Sequence, residues 1–141
     1  MTPLPLHNIR VLDLAHLLPG EFATMYLAAL GAEVIKIEST QAESFADEGL
    51  LIHELVNRGK RSITLDLKTE SGQRALHKLA ATADVLIEGF RPGVTARLHA
   101  DYQTLRAINP RLIYCSLTGF GQDGPYKNRP AHDLNYVAIT G

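Results

Sequence analysis

Five short apolar segments recur along the chain, separated by residues at helical spacing or by turn-forming residues. The first two segments, Arg10–Ala15 and Glu33–Glu38, flank a predicted helix, Glu21–Leu30, which Gly31 ends. The apolar residues at helical spacing in this helix are Phe22, Met25, Tyr26 and Ala29. A strand, a helix and a second strand within about 30 residues form a βαβ unit, whose crossover is almost always right-handed. This unit restricts the chain to folds that contain a parallel sheet covered by helices.

The rest of the chain continues the same alternation. Strands are predicted at Ser62–Asp66, Asp84–Glu88 and Leu112–Leu117, the last as a buried strand because it is apolar, β-branched and aromatic. The predicted helices are Glu48–Val56, Glu70–Thr82 with Thr69 as its cap, a short helix ending at Arg97, Tyr102–Ile108 and Leu134–Thr140, whereas the polar stretch Ser39–Asp47 receives no assignment. We therefore expect an α/β fold with a Rossmann-like, doubly wound, mostly parallel sheet and flanking helices.

Composition indicates an ordinary globular domain. The chain has 141 residues, 45% of them hydrophobic and 21% charged, which suits one domain. The net charge of −1 gives no sign of a nucleic-acid partner. No apolar run is long enough for a membrane span, and the N-terminus lacks the features of a signal peptide. A single cysteine, Cys115, allows no internal disulfide. We therefore expect a cytoplasmic protein in a reducing compartment.

A polar cluster follows the last predicted strand. A glycine-rich loop, Gly119–Pro125, leads into Arg129–Tyr136, which opens the last predicted helix. This order places His132 and Asp133 at the carboxyl edge of the sheet, where ligands of open α/β sheets bind. A helix N-terminus disfavours positive charge, so His132 is suited to act as a neutral general base. The alternative is a surface histidine beside a helix-capping Asp133.

Basic residues follow two other predicted strands. Lys68 and Arg91 lie at strand carboxyl ends, with Arg97 close behind in the sequence. Cations at that edge suit a phosphorylated ligand, although a solvated basic rim has the same pattern. The glycines of Gly119–Gly124 match the dinucleotide motif in letters only, because no helix opens directly at them. The spacing of His and Cys residues predicts no metal site.

Several segments together resemble one known family. The resemblance is to the class III CoA-transferase family, also called CaiB/BaiF, which includes alpha-methylacyl-CoA racemases. It covers nearly the whole chain in the right order and implies a Rossmann-like large domain that binds acyl-CoA as a substrate. It also implies an interlocked homodimer, or a complementing chain as partner. The matching segments are Ile9–Leu14, Leu30–Glu38, Asn57–Lys68, Ala83–Gly93 and Asn109–Tyr114.

The resemblance also implies roles for individual residues. Segment 131–136 resembles the racemase motif Gly-His-Asp-Ile-Asn-Tyr, which makes His132 the expected catalytic residue. Two positions depart from the family pattern, since Ala131 replaces a glycine and Ser39 stands where many relatives have an arginine near the CoA. The residues implied to contact the CoA substrate are Leu65, Asp66, Leu67 and Lys68 after one strand, Gly89, Phe90 and Arg91 after another, Arg97 at a phosphate, and Ala131, Asp133, Asn135 and Tyr136 around His132.

Family enzymes are much longer than this chain, and three functions therefore stay open. Residues 1–141 would form the N-terminal CoA-binding part of the large domain, without the small domain and the C-terminal return segment. The aspartate shared by family transferases and racemases lies beyond the family's equivalent of Gly141. The chain is thus expected to belong to an enzyme that transfers CoA between carboxylic acids, to a racemase with His132 as base, or to be a non-catalytic CoA-binding fragment.

Overall fold

Five parallel strands and six helices make up the part of the chain that can be described. The computed structural model describes residues 3–40 and 47–141, the second range with side chains from residue 52 onward. The strands are β1 (Arg10–Leu14), β2 (Glu33–Glu38), β3 (Arg61–Thr64), β4 (Val85–Glu88) and β5 (Ile113–Ser116). The helices are α1 (Leu18–Ala29), α2 (Asp47–Asn57), α3 (Glu70–Ala80), α4 (Val94–Arg97), α5 (Tyr102–Ile108) and α6 (Asp133–Thr140). The predicted α/β alternation is confirmed.

The strands form one sheet in the order β3-β2-β1-β4-β5, with every pair parallel. Successive residues of the central strand β1 face opposite sides of the sheet, so that Val11 and Leu12 belong to different hydrophobic clusters. Leu12 packs with Leu76 of α3 and Leu105 of α5, whereas Val11 packs near Leu27 of α1. Helices therefore cover both faces, as the doubly wound class requires.

Helix α1 differs from its prediction in both its start and its buried face. It begins at Leu18 rather than Glu21, because Pro19 is tolerated in a first helical turn, where its missing N–H would lack a partner anyway. Its buried residues are Gly20, Glu21 and Thr24, while Phe22 and Tyr26 are 45% and 55% exposed. The polar side of α1 faces the sheet, because Thr24 and Glu21 contact charged residues of β1 and β2.

The strand predicted at Leu112–Leu117 is present as β5, but the prediction that it is buried is wrong. Strand β5 is the edge of the sheet, and Ile113 is 63% exposed. Cys115 is exposed as well. A run of β-branched and aromatic residues fits any pleated surface, and its burial depends on the neighbours that the tertiary fold supplies. Residues 41–46 of the unassigned polar stretch lie outside the described residues.

The helix caps follow the sequence signals. The predicted cap Thr69 accepts a hydrogen bond from the Gly72 N–H through its side chain, and Asp101 caps α5 in the same way. Gly31, with φ of +100°, follows α1 in a conformation that suits glycine. Among residues 3–40 and 47–141, no helix combines the length and apolar character needed to cross a membrane.

We expect Leu86→Ala to destabilise the fold strongly. Leu86 is fully buried in β4, so its truncation leaves a cavity and should cost about 2–5 kcal/mol of unfolding free energy. Leu55→Ala is the matched control, because Leu55 is 62% exposed on α2. Denaturant unfolding of both variants measures the difference, and equal losses would contradict the assigned core.

Candidate ligand-binding groove

A groove of about 540 Å³ opens at the carboxyl edge of the sheet. Its lining comes from the ends of β1 and β2, from the residues after β1, β2, β3 and β4, and from α4, and about half of the lining side chains are aliphatic. In an open parallel sheet this edge, on either side of the first strand, is where ligands bind. The lining residues are Leu14, His16, Ile37, Glu38, Ser39, Leu65, Asp66, Leu67, Lys68, Phe90, Val94, Arg97 and Leu98.

The segment Leu65–Lys68 is fixed in the groove by backbone contacts at both of its ends. The Leu65 N–H donates to the Glu38 carbonyl at 2.9 Å, which ties the segment to β2. The Asp66 side chain accepts from the Lys68 N–H at 3.0 Å, and the Asp66 carbonyl accepts from the Thr69 N–H at 3.0 Å. A Cβ on Gly72 would overlap that same carbonyl. The close approach of α3 thus places these four predicted residues on the groove.

Phe90 also lines the groove. Its N–H donates to the buried carboxylate of Glu88 at 2.7 Å, so the chain turns sharply after β4. The ring of Phe90 packs edge-on against His16, with ring centroids 4.9 Å apart. Arg97, the last residue of α4, lines the same groove as Lys68. An apolar cavity with an aromatic wall and two cations suits a ligand that joins an aromatic ring to phosphates.

Other predicted residues lie outside this groove. Gly89 and Arg91 flank Phe90 and are exposed, but neither belongs to the groove lining. Residues 131–136, including His132, are also absent from the lining. The structure therefore brings Leu65–Lys68, Phe90 and Arg97 together, and it places His132 at a separate position.

That separate position is the start of α6. His132, not Asp133, is the cap residue, and its N–H donates to the Asn135 side chain at 2.9 Å. The Asn135 N–H donates in turn to the His132 carbonyl at 2.9 Å. Tyr136 lies against Gly119, where a Cβ would overlap its hydroxyl, and so anchors α6 to the glycine loop. His132 itself is exposed.

A buried ionic cluster next to the turn between β1 and α1 was not predicted from the sequence. It consists of two carboxylates and two ammonium groups, from Asp13, Glu21, Lys36 and Lys60. Lys60 Nζ lies 3.0 Å from Asp13 Oδ2, and Lys36 Nζ lies 2.7 Å from Glu21 Oε1. Thr24 donates to Asp13, which explains why the polar side of α1 faces inward. The available signals are Asp13, a charged residue between Leu12 and Leu14 of β1, and Lys36 between the isoleucines of β2.

Burial and charged partners shift the pKa values of this cluster in opposite directions. Burial raises the pKa of Glu21, but the hydrogen bond and charge of Lys36, with smaller effects from Asn57 and His53, bring that pKa below its ordinary value of 4.5. For Lys60 burial prevails over the attraction of Asp13, and its pKa is lowered. In the described part of the chain, no group of three or more His, Cys, Asp or Glu side chains is arranged to hold a metal ion.

The strand order and the groove at its carboxyl edge define a Rossmann-like α/β protein, with a groove where proteins of this class bind ligands. The model of the family called CoA-transferase family III matches residues 6–141. This chain belongs to that family, also called CaiB/BaiF, and the resemblance drawn from its segments is confirmed.

Two solved structures share its fold. A CaiB/BaiF family protein from Brucella suis is 43% identical with a TM-score of 0.86 over 98% of this chain and 39% of its own. A hypothetical protein from Mycobacterium tuberculosis is 42% identical with a TM-score of 0.89 over 99% of this chain and 41% of its own.

Curated relatives include both transferases and racemases. A succinate–glutarate CoA-transferase of Agrobacterium fabrum is 42% identical over 97% of this chain and 39% of its own length. An acetyl-CoA:oxalate CoA-transferase of Acetobacter aceti is 44% identical over 97% and 37%. An alpha-methylacyl-CoA racemase of Mus musculus is 43% identical over 96% and 34%. The chain thus spans less than two fifths of the length of these relatives.

We expect Glu21→Gln to weaken the fold at neutral pH but much less in acid. The pKa of Glu21 is lower in the folded state, so its stabilising effect is present above the unfolded pKa near 4.5 and is lost as the pH falls through the folded pKa. The loss at pH 7 should be about 3 kcal/mol, the lower end for breaking a buried pair, because the Gln amide oxygen still accepts a hydrogen bond.

Unfolding curves between pH 7 and pH 2 test this expectation. Glu70→Gln is the control, because Glu70 is an exposed partner of Arg74 and its replacement should change little at any pH. A constant difference between Glu21→Gln and the native chain over the whole range would contradict it.

Proposed function

We propose that this chain is the CoA-binding part of an acyl-CoA enzyme that transfers CoA between carboxylic acids by way of acyl-CoA thioesters. The observation that carries this proposal is the groove in which Leu65–Lys68, Phe90 and Arg97 meet. Membership of a family of CoA-transferases supports it, because acyl-CoA is the substrate that the family implies.

The chemistry of the groove fits the nucleotide end of CoA. The adenine ring is flat and aromatic, and Phe90 with the aliphatic side chains of the lining offers it apolar contact. The phosphates of CoA carry several negative charges, and Lys68 and Arg97 on the groove provide cations for them. Arg91 is exposed on the loop after Phe90, where it would supply a third cation at the rim.

In our proposal, catalysis also requires residues that are not among these 141. The relatives named above are more than twice as long as this chain, and the resemblance places the acyl-carrying aspartate in their remaining part. We propose that the 141 residues bind acyl-CoA but are inactive alone, and that they work in the cytoplasm as a homodimer or with a complementing chain. The exposed Leu134, Val137 and Ile139 of α6 support such a covered surface.

Racemase chemistry is the second candidate, and a specific motif favours it. Segment 131–136 resembles the racemase motif, and a racemase is among the relatives at 43% identity. His132 would then remove the proton alpha to the thioester carbonyl, with N–H groups at the start of α6 near the enolate oxygen. The third candidate is a fragment that binds CoA without catalysis.

We expect Arg97→Ala to weaken CoA binding by about 1–3 kcal/mol, the usual size for a charge-assisted hydrogen bond. Isothermal titration calorimetry with CoA measures the change. Arg74→Ala is the matched control, because Arg74 lies on α3 in a surface pair with Glu70 and not in the groove. Unchanged affinity in a folded Arg97→Ala variant would refute the phosphate assignment.

We expect His132→Ala to separate the two catalytic candidates. The assay supplies a panel of acyl-CoA esters to the chain together with its complementing part, and follows both deuterium exchange at the alpha carbon and CoA transfer to free acids. A general base contributes roughly 10²–10⁴-fold to rate, so a racemase should lose alpha exchange by that factor. Full CoA transfer in His132→Ala would identify a transferase, with His132 merely close to the thioester.

A further inference from the structure

In the turn between β1 and α1, charged side chains bind both the N–H and the carbonyl of Ala15. The Ala15 N–H donates to Asp13 Oδ1 at 3.0 Å. The Ala15 carbonyl accepts from Lys36 Nζ, which also contacts Glu21 Oε1 at 2.7 Å. Lys36 is only 3% exposed, so its bond to the carbonyl is shielded from water. Both peptide groups of Ala15 are therefore tied to the ionic cluster.

The residue after this turn is part of the groove. His16 lines the groove and packs edge-on against Phe90. The peptide that joins Ala15 to His16 contains the carbonyl that Lys36 binds, so the position of Lys36 fixes the plane of that peptide. Gly20 packs against Ala15 so closely that a Cβ on it would overlap the Ala15 side chain, which leaves the turn little room to shift.

Lys60 belongs to the same cluster but makes no contact with the main chain of the turn. Its ammonium donates to Asp13 at 3.0 Å, to Thr24 at 2.8 Å and to Asn57 at 2.9 Å. These bonds and its bond to the Glu21 carbonyl join β1, α1 and α2. None of them reaches the main chain of Ala15 or His16. The side chains of both lysines are almost inaccessible, with 3% exposed for Lys36 and 1% for Lys60, and the two differ in the groups that they contact.

We propose that Lys36 is a positioning residue of the groove. Through the Ala15 carbonyl it sets the orientation of the peptide before His16, and through that peptide the placement of the His16–Phe90 wall. The consequence for ligand affinity rests on the proposed CoA-binding function, whereas the effect on the wall does not. A wall that is ordered before the ligand arrives saves the ligand the cost of ordering it.

The test compares Lys36→Met and Lys36→Arg with Lys60→Met as the matched control. Lys36→Arg keeps the charge of the cluster and so keeps the fold, but a planar guanidinium does not reproduce the contacts of one ammonium nitrogen to both oxygens. Proton NMR of the ligand-free protein follows the nuclear Overhauser contacts between the His16 and Phe90 rings. We expect these contacts to weaken in both Lys36 variants and to persist in Lys60→Met.

Calorimetry with CoA supplies the second readout. The Lys36 variants should bind CoA roughly tenfold more weakly, within the range of coupling through a shared contact, while Lys60→Met loses stability but keeps its affinity. His16→Ala should weaken binding less in the Lys36→Arg background than in the native chain, because both changes disturb one wall. Native affinity in a folded Lys36 variant, or additive effects of the two changes, would overturn the proposal. If the native chain itself fails to bind CoA, the proposed function fails instead, and the ring contacts still decide the role of Lys36.

Discussion

Parallel pairing of β1 with a strand on each side is the constraint on which the rest of the structure depends. β1 pairs with β2 along one edge and with β4 along the other. Parallel neighbours need crossover connections, and these put helices on both faces of the sheet. All strands consequently end at one edge. The residues after β1, β3 and β4 are far apart in sequence, yet they line one groove because their strands end side by side.

Helices on both faces of the sheet bury its central strand, so a charged side chain on that strand needs partners within the protein. Asp13 is fully buried in β1, and a buried carboxylate without partners is costly by several kcal/mol. Lys60, Thr24 and the Ala15 N–H satisfy its oxygens. With Glu21 and Lys36 the cluster holds two negative and two positive groups, so the charges balance and no single one can be removed without stranding another. The polar inner side of α1 follows from this balance.

Local patterns were enough to predict most of the elements, but not their positions in the sheet. Period and capping signals gave the βαβ unit and the Thr69 cap, since these depend on neighbouring residues. The edge position of β5 depends on strand order, which a run such as Ile113–Ser116 does not encode. The cluster was missed for the same reason, because Asp13 and Lys60 meet across 47 positions of sequence. The family resemblance predicted Leu65–Lys68 and Phe90 as site residues. His16 was not predicted, because its place in the groove beside Phe90 depends on the tertiary fold.

The separation of His132 from the groove is consistent with the shape of the proposed substrate. CoA carries its nucleotide at one end and its reactive thioester at the other, joined by a long flexible arm. A protein that binds the nucleotide strongly in a groove can use that binding energy to hold the thioester at a distant reacting centre. Groove and His132 then need no direct contact, because the substrate itself connects them.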